Sequence, residues 1–327
     1  MEAPETLIEA VRFFGNPDNA LQFFVELRWP KGVKCPRCGS DKVTYLANAK
    51  VWKCKTAHPK QKFSAKVGTI FEDSPIGLDK WLPAFWLAAN CKNGISSYEL
   101  HRGLGVTQKT AWFMLQRIRL AMHEGSIDKF SGRVEADETF IGAKARNMHA
   151  KERKEKIGKG TGPTGKTAVL GLLERNTGDG SSRIRLKVLK SVRRNQLDPE
   201  IRKHVEKGSE MLTDALRSYE NLSGDYVHNV IDHAECYARG HVHTNGLENF
   251  WSLLKRGLKG TYVSVEPFHL FRYLDEQAFR FNERKDNDAG RFVKALAGAV
   301  GKGLKYAKLI AAEGGDGPSS GPTLQIA

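Results

Sequence analysis

The chain has no uninterrupted apolar stretch approaching the roughly 18 to 20 residues that cross a bilayer, which excludes a helical membrane span. Its first residues, MEAPETLIEA, carry neither a basic flank nor an apolar core, so no secretory leader is expected there. Cysteine is scarce, 5 in 327 residues and unevenly spaced. That excludes a disulfide framework and points to a reducing, cytoplasmic compartment in which thiols meet metal. Acid is short as well: 37 Asp+Glu face 52 Lys+Arg, a net charge of +15. Such an excess is expected of a protein that meets a polyanion, with nucleic acid ahead of a membrane surface. What is present is ordinary globular material, 40% hydrophobic and 27% charged, enough for about two domains with sizeable cores.

Apolar spacing predicts a helical lead over 1–32, with Leu7, Ala10, Val11 and Phe14, then Leu21, Phe24, Val25 and Leu27, on its inner faces. Residues 33–70 read as short strands and turns. A buried helix from Leu78 to Lys92 opens a helical region over 76–125. Within it Ser96 and Glu99 give a capping-box signal, Gly103 to Gly105 stops that helix, and Thr107 caps another running to about His123. The pattern then changes to strands at Arg133 to Ile141, Ala168 to Leu173, Arg183 to Leu189, Glu210 to Thr213 and Tyr226 to Ile231. A helix at Asp198 to Lys207 precedes the fourth strand, and helices follow at Gly246 to Leu258 and Pro267 to Arg284. Three consecutive strands, then alternation, then helices predict a mixed α/β domain over 131–285. A C-terminal helix and a tail low in apolar residues, flexible by composition, make up 286–327.

The first chemical constellation is Cys35-Pro-Arg-Cys38 followed by Cys54 and His58. Two thiolates two residues apart share one tetrahedral metal through a tight knuckle, and the second pair supplies the other two ligands. Structural zinc is the expected occupant. Next, the helices on either side of Leu104-Gly-Val-Thr107 have the layout of a helix-turn-helix. Gln108 and Lys109 at the start of the second helix would face bases or phosphates, with Arg117 and Arg119 holding the backbone.

Gly160-Thr-Gly-Pro-Thr-Gly165-Lys166-Thr167 satisfies a phosphate-loop pattern letter for letter. Its mechanism needs a buried strand before and a helix after. Here the charged run Lys151-Glu-Arg-Lys-Glu-Lys156 precedes and a strand follows, so a basic loop is expected instead. Lys151, Arg153, Lys154, Lys156 and Lys159 would then grip a nucleic-acid backbone.

The last constellation is acidic. Strand alternation within Val134-Glu-Ala-Asp-Glu-Thr-Phe-Ile-Gly142 puts Glu135 and Asp137 on one face and Glu138 on the other. Asp214 ends a short strand, while Glu248 and Lys255 lie two turns apart on one helix face. Carboxylates converging from separate elements hold paired divalent ions. Read alone, each acid is also what a solvated strand end carries.

At these segments the chain resembles the DDE transposases of bacterial insertion sequences, in the ISXO-like group with an N-terminal zinc ribbon. The similarity spans about residues 15 to 285. Val134 to Gly142, Gly165-Lys-Thr-Ala-Val-Leu-Gly171 and Leu212-Thr-Asp214 carry it. So do His243-Thr-Asn-Gly-Leu-Glu-Asn-Phe-Trp-Ser-Leu-Leu-Lys255 and Gly260-Thr-Tyr262. The resemblance implies a ribonuclease-H-like catalytic domain preceded by a zinc ribbon and a helix-turn-helix. It places catalytic magnesium or manganese on Asp137, Asp214 and Glu248, with Lys255 on DNA and Asn245 as an alternative third position. The group's ribbon usually closes on another Cys where this chain offers His58. The implied activity is binding of terminal inverted repeats, metal-dependent strand cleavage and transfer of the 3′-hydroxyl to target DNA. The implied partner is double-stranded DNA, with no membrane. Synapsis of two ends implies a homodimer or larger assembly, cytoplasmic and on the nucleoid. Two other classes fit part of the pattern: a catalytically silent zinc-ribbon and helix-turn-helix regulator, and a structure-selective nuclease.

Overall fold

A capping box at Thr6 and Glu9 starts α1 (Leu7–Phe14), and the Asn16 side chain with Pro17 starts α2 (Pro17–Arg28). The computed structural model describes residues 2–125, 128–142, 166–176, 180–214, 217–231 and 243–310. The basic run Lys151 to Lys159 and the tail from Gly314 lie outside them. The described residues divide into two compact units, 2–123 with 283–310, and 124–282.

In the first unit, β1 (Val43–Leu46), β2 (Val51–Cys54) and β3 (Lys62–Phe63) form an antiparallel sheet in that order. The register puts Tyr45, Trp52 and Phe63 in one row, with Trp29 edge-on to Trp52 at 5.9 Å. α3 (Leu78–Asn90) is the buried helix that its apolar spacing predicts. Rings link it to the first helices: Phe14 meets Phe23 at 5.2 Å, Phe24 meets Phe71 at 5.1 Å, and Phe71 meets Trp81 at 5.1 Å. α4 (Ser97–Leu104) starts on the Ser96–Glu99 capping box and ends at Gly105, whose φ of 60° is the left-handed stop that glycine adopts without cost. Thr107 then caps α5 (Gln108–Met122).

The second unit is built on β4 (Arg133–Ile141), β5 (Thr167–Glu174), β6 (Arg183–Leu189), β7 (Glu210–Asp214) and β8 (Val227–Ile231), in spatial order β6-β5-β4-β7-β8. The first three strands form an antiparallel meander, and β7 and β8 join parallel to β4. α6 (Arg194–His204) begins four residues earlier than expected, because Arg193 supplies no side-chain cap and leaves no start signal in the sequence. Its Leu197 and Ile201 join Tyr219, Leu222 and Tyr226 on one side of the sheet. α7 (Asn245–Gly257) and α8 (Leu270–Asn282) cover the other, through Leu247, Phe250, Trp251, Leu254, Leu270 and Leu274. Both faces are therefore buried, which is why β5 reads as a nearly continuous apolar run.

The chain then returns to the first unit as α9 (Asp288–Ala297) and α10 (Tyr306–Ile310). Phe292 of α9 stacks on Phe23 at 5.9 Å, and Ile70 N donates to Ala299 O at 3.0 Å. The boundaries expected near 32, 70 and 286 thus fall within or at the edge of one unit. Among the described residues no helix is long and apolar enough to cross a membrane.

Candidate functional site

β4 is the central strand of its sheet. Its parallel register with β7 pairs Ala136 with Thr213, so one residue further on Asp137 stands level with Asp214. One carboxylate oxygen from each of Asp137, Glu138 and Asp214 lies within 4.8 Å of the others. The expected alternation holds at this point. Asp137 Oδ2 accepts from Trp251 Nε1 at 2.8 Å on the α7 side, while Glu138 Oε1 accepts from the Tyr219 hydroxyl at 2.5 Å on the other.

Burial pushes the Glu138 carboxyl up to about 8 against the Tyr219 hydrogen bond, and Asp214 and Asp137 add to the rise. Burial also raises Asp137, with Asp214 and Glu248 adding to it in spite of the bonds from Trp251 and the Glu138 amide. Three mutually repelling, half-buried carboxylates form the hard oxygen set that a divalent cation relieves. The residues present fit such an ion.

Space for the Trp251 indole comes from β5. Gly171 pairs with Asp137 across the sheet. A Cβ there would lie 2.6 Å from Trp251 Cζ2 and 2.8 Å from Leu247 Cδ2.

Glu248 stands in the first turn of α7, exposed, with its carboxylate outside the 4.8 Å group. Asn245 opens the same helix, and its amide N–H donates to His243 Nδ1 at 3.3 Å. Lys255 lies in the last turn, also exposed. The structure therefore brings Asp137 and Asp214 together, keeps Glu248 near enough to act on Asp137 through its charge, and leaves Asn245, Glu248 and Lys255 exposed on α7. Among the described residues Thr167 enters a strand directly and no helix N-terminus follows Lys166, as the basic-loop expectation requires.

In the ribbon, one ligand atom from each of Cys35, Cys38, Cys54 and His58 lies within 4.8 Å of the rest. Cys35 Sγ is 3.5 Å from His58 Nε2, and the Cys38 and Cys54 sulfurs are 3.6 Å apart. A tetrahedron with Zn–S near 2.3 Å has edges of about 3.5 to 3.8 Å, so this spacing suits zinc. His58 Nδ1 lies 2.7 Å from Pro59 O, and donating there leaves Nε2 for the metal. Burial raises the Cys35 thiol, but the amides of Arg37 and Cys38 together with the Cys38 side chain hold the group below its ordinary value. The Cys3His cluster supports a structural zinc.

The residues expected on DNA divide sharply. Lys109 is exposed, its ammonium 4.8 Å from the Tyr306 ring centre. Gln108 is half-buried and donates from Nε2 to Ser97 Oγ at 2.9 Å, which ties α5 to α4. Arg117 and Arg119 correct the expectation: they are 6% and 1% exposed. Arg117 Nε donates to Leu304 O at 3.0 Å, and Nη1 donates to Ile70 O at 2.7 Å and Glu72 O at 3.0 Å. A guanidinium committed to three carbonyls braces the fold and offers nothing to a phosphate. Lys151, Arg153, Lys154, Lys156 and Lys159 lie outside the described residues. The ribbon adds a pair that sequence reasoning missed. Lys53 and Lys62 face each other across β2 and β3, both exposed, an arrangement that repels until an anion lies against it.

Glu138, Trp251, Gly171 and Tyr219 were not singled out by sequence either. The available signal was the acids at 135, 137 and 138 inside a strand whose flanks are apolar. Solvated strand ends do not place acids at that depth.

A Cys3His ribbon on one unit and carboxylates gathered across parallel strands on the other define a protein with two clusters of side chains suited to holding metal. Residues 129–282 match the ISXO2-like transposase domain, and residues 15–56 match the transposase zinc-ribbon domain. The chain is 26% identical over 266 residues to an uncharacterized protein in transposable element ISH50 of Halobacterium salinarum, covering 76% of this chain and 85% of that one. It is 35% identical over 110 residues to an uncharacterized transposase-like protein of Haemophilus influenzae, covering 33% of this chain and 89% of the relative. The chain belongs to the ISXO2-like transposases and carries their zinc ribbon.

Proposed function

We propose that this protein is a DDE-type transposase that binds the terminal inverted repeats of an insertion sequence, cleaves DNA strands there and joins the freed 3′-hydroxyl to target DNA. The observation that carries this is the meeting of Asp137 and Asp214 across β4 and β7 inside the family-matched domain. The strand order, a three-stranded antiparallel meander extended by two parallel strands, supports a ribonuclease-H-like catalytic unit.

Asp137 and Asp214 would hold the catalytic ion, with Glu138 beside them and Glu248 or Asn245 completing the set from α7. When bound, magnesium or manganese supplies an activated oxygen nucleophile and neutralises the charge of the leaving oxygen. The protein's part is to hold these acids in register. Trp251 Nε1 fixes the Asp137 carboxylate, and Tyr219 fixes Glu138. Lys255 would steady a phosphate.

The α4–α5 pair acts as a helix-turn-helix that presents Lys109, while Lys53 and Lys62 of the ribbon grip the backbone. The basic run from Lys151 to Lys159 would add affinity without sequence information. Two ends brought together call for a dimer or larger assembly, in the cytoplasm on the nucleoid.

The test is a cleavage and strand-transfer assay on repeat-end DNA with Mg²⁺, comparing the parent with Asp137→Ala, Asp214→Ala and Glu248→Ala. Variants that bind DNA but do not cut it support the enzyme. A parent that binds the repeats without cutting them supports a silent regulator instead.

A further inference from the structure

The side chain of Glu135 lies two residues before Asp137 on the same face of β4, and it is 1% exposed. It is held at both oxygens. Arg175 Nε donates to Oε1 at 2.5 Å, and the Leu247 amide in the first turn of α7 donates to Oε2 at 2.8 Å. Arg175 reaches on to the chain entering that helix, with Nη2 donating to His243 O at 2.6 Å and lying 2.6 Å from His243 Nδ1.

Gly246 makes the approach possible. A Cβ at that position would stand 2.8 Å from Glu135 Oε1 and 2.9 Å from Oε2. The carboxylate cannot swing aside without giving up the Arg175 or the Leu247 bond. Four residues after Leu247, Trp251 of the same helix donates to Asp137. Two residues of strand advance about 6.6 Å and four residues of helix about 6 Å, so the two attachments share one spacing. A buried acid at a helix N-terminus also matches the sign of the helix dipole.

We infer that Glu135, through Arg175 and the open flank of Gly246, is a positioning residue that locks the first turn of α7 to β4 and so sets Glu248 against Asp137 and Asp214. It does not touch the reacting atoms; it fixes the distance between the strand-borne acids and the helix-borne one. The inference rests on the transposase reading for its catalytic consequence, while the lock itself is independent of that reading.

The experiment compares full-length parent, Glu135→Gln, Arg175→Lys and Gly246→Ala by three measurements: amide hydrogen exchange over residues 243–257, thermal melting, and the Mg²⁺ dependence of cleavage on repeat-end DNA. Gly246→Ala retains every charge and donor, and alanine in place of glycine ordinarily favours a helix. It therefore isolates the steric claim. The expected result is faster exchange at the start of α7 in each folded variant. Half-saturating Mg²⁺ should rise about 10- to 100-fold, the scale on which groups supporting metal ligands act, with saturating Mg²⁺ recovering part of the rate. Unchanged exchange and an unchanged Mg²⁺ midpoint in folded Gly246→Ala and Glu135→Gln would overturn the inference. If Glu135→Gln does not fold, Gly246→Ala decides. A parent that never cleaves sinks the transposase reading alone, since the exchange measurement still reports on the lock.

Discussion

Trp251 Nε1 donates to Asp137 Oδ2 at 2.8 Å through a slot that exists because Gly171, facing Asp137 across the sheet, has no side chain. One hydrogen bond thus couples the orientation of a candidate-site acid to the packing of a helix on the sheet. Gly171→Ala would place its methyl 2.6 Å from Trp251 Cζ2. Overpacking of this kind costs about 1–3 kcal/mol. The expected outcome is that loss in urea denaturation together with reduced cleavage. Trp251→Phe, which keeps a six-membered aromatic ring but loses the N–H donor, should reduce cleavage, with a loss of stability from the void it leaves.

The strands and caps were legible because local rules decide them. Ser96 with Glu99, Gly105 and Thr107 gave the ends of α4 and α5 by side-chain and backbone chemistry within four residues. Alternation placed Glu135 and Asp137 on one face of β4 correctly. It was silent on what covers that face, since the partners of Glu135 are Arg175 and Leu247, 40 and 112 residues away. Arg117 and Arg119 failed for the same reason. Their charges suggest a solvent face, whereas α5 is buried continuously from Met114 to Met122 and the carbonyl of Leu304, 187 residues on, meets Arg117.

Arg117 and Lys109 therefore separate two roles on one helix. Arg117→Ala leaves the buried carbonyls of Ile70 and Leu304, and the half-buried one of Glu72, without this donor, and each fully buried group so stranded costs about 1–3 kcal/mol. The expected outcome is a marked drop in melting temperature. Lys109→Ala should leave melting nearly unchanged. It should weaken repeat binding and lower the salt slope of log K by about 1, read by fluorescence anisotropy across a salt series.

The ribbon's dependence on metal is a separate prediction. With Cys35, Cys38, Cys54 and His58 within ligand distance of one another, purified protein should carry about one zinc per chain, lost in Cys38→Ser. His58→Cys should retain zinc, because a fourth thiolate satisfies the same tetrahedron. His58→Ala should release it to a chelator at lower concentration. Elemental analysis before and after chelation reads all three, and a zinc-free parent with a folded ribbon would count against the assignment.

The carboxylate cluster predicts an inverted response of stability to pH. Burial, with Asp214 and Asp137 adding to it, raises Glu138 from 4.5 to about 8, so the folded metal-free protein binds a proton that the unfolded chain releases. A carboxyl raised by folding contributes its stability fully below its unfolded value and loses it as pH climbs through the folded one. Asp137 is shifted in the same direction. Metal-free protein should therefore lose stability from about pH 5 to about pH 8, the reverse of what a salt-bridged carboxylate gives. Mg²⁺ should raise the melting temperature more at the upper end of that range, where the acids are ionised and their repulsion is largest. Glu138→Gln should flatten the pH dependence of the metal-free protein and reduce the Mg²⁺ response at pH 8. Melting curves across pH, with and without Mg²⁺, check both, and an Mg²⁺ shift equal at the two ends of the range would show that these acids do not take the ion together.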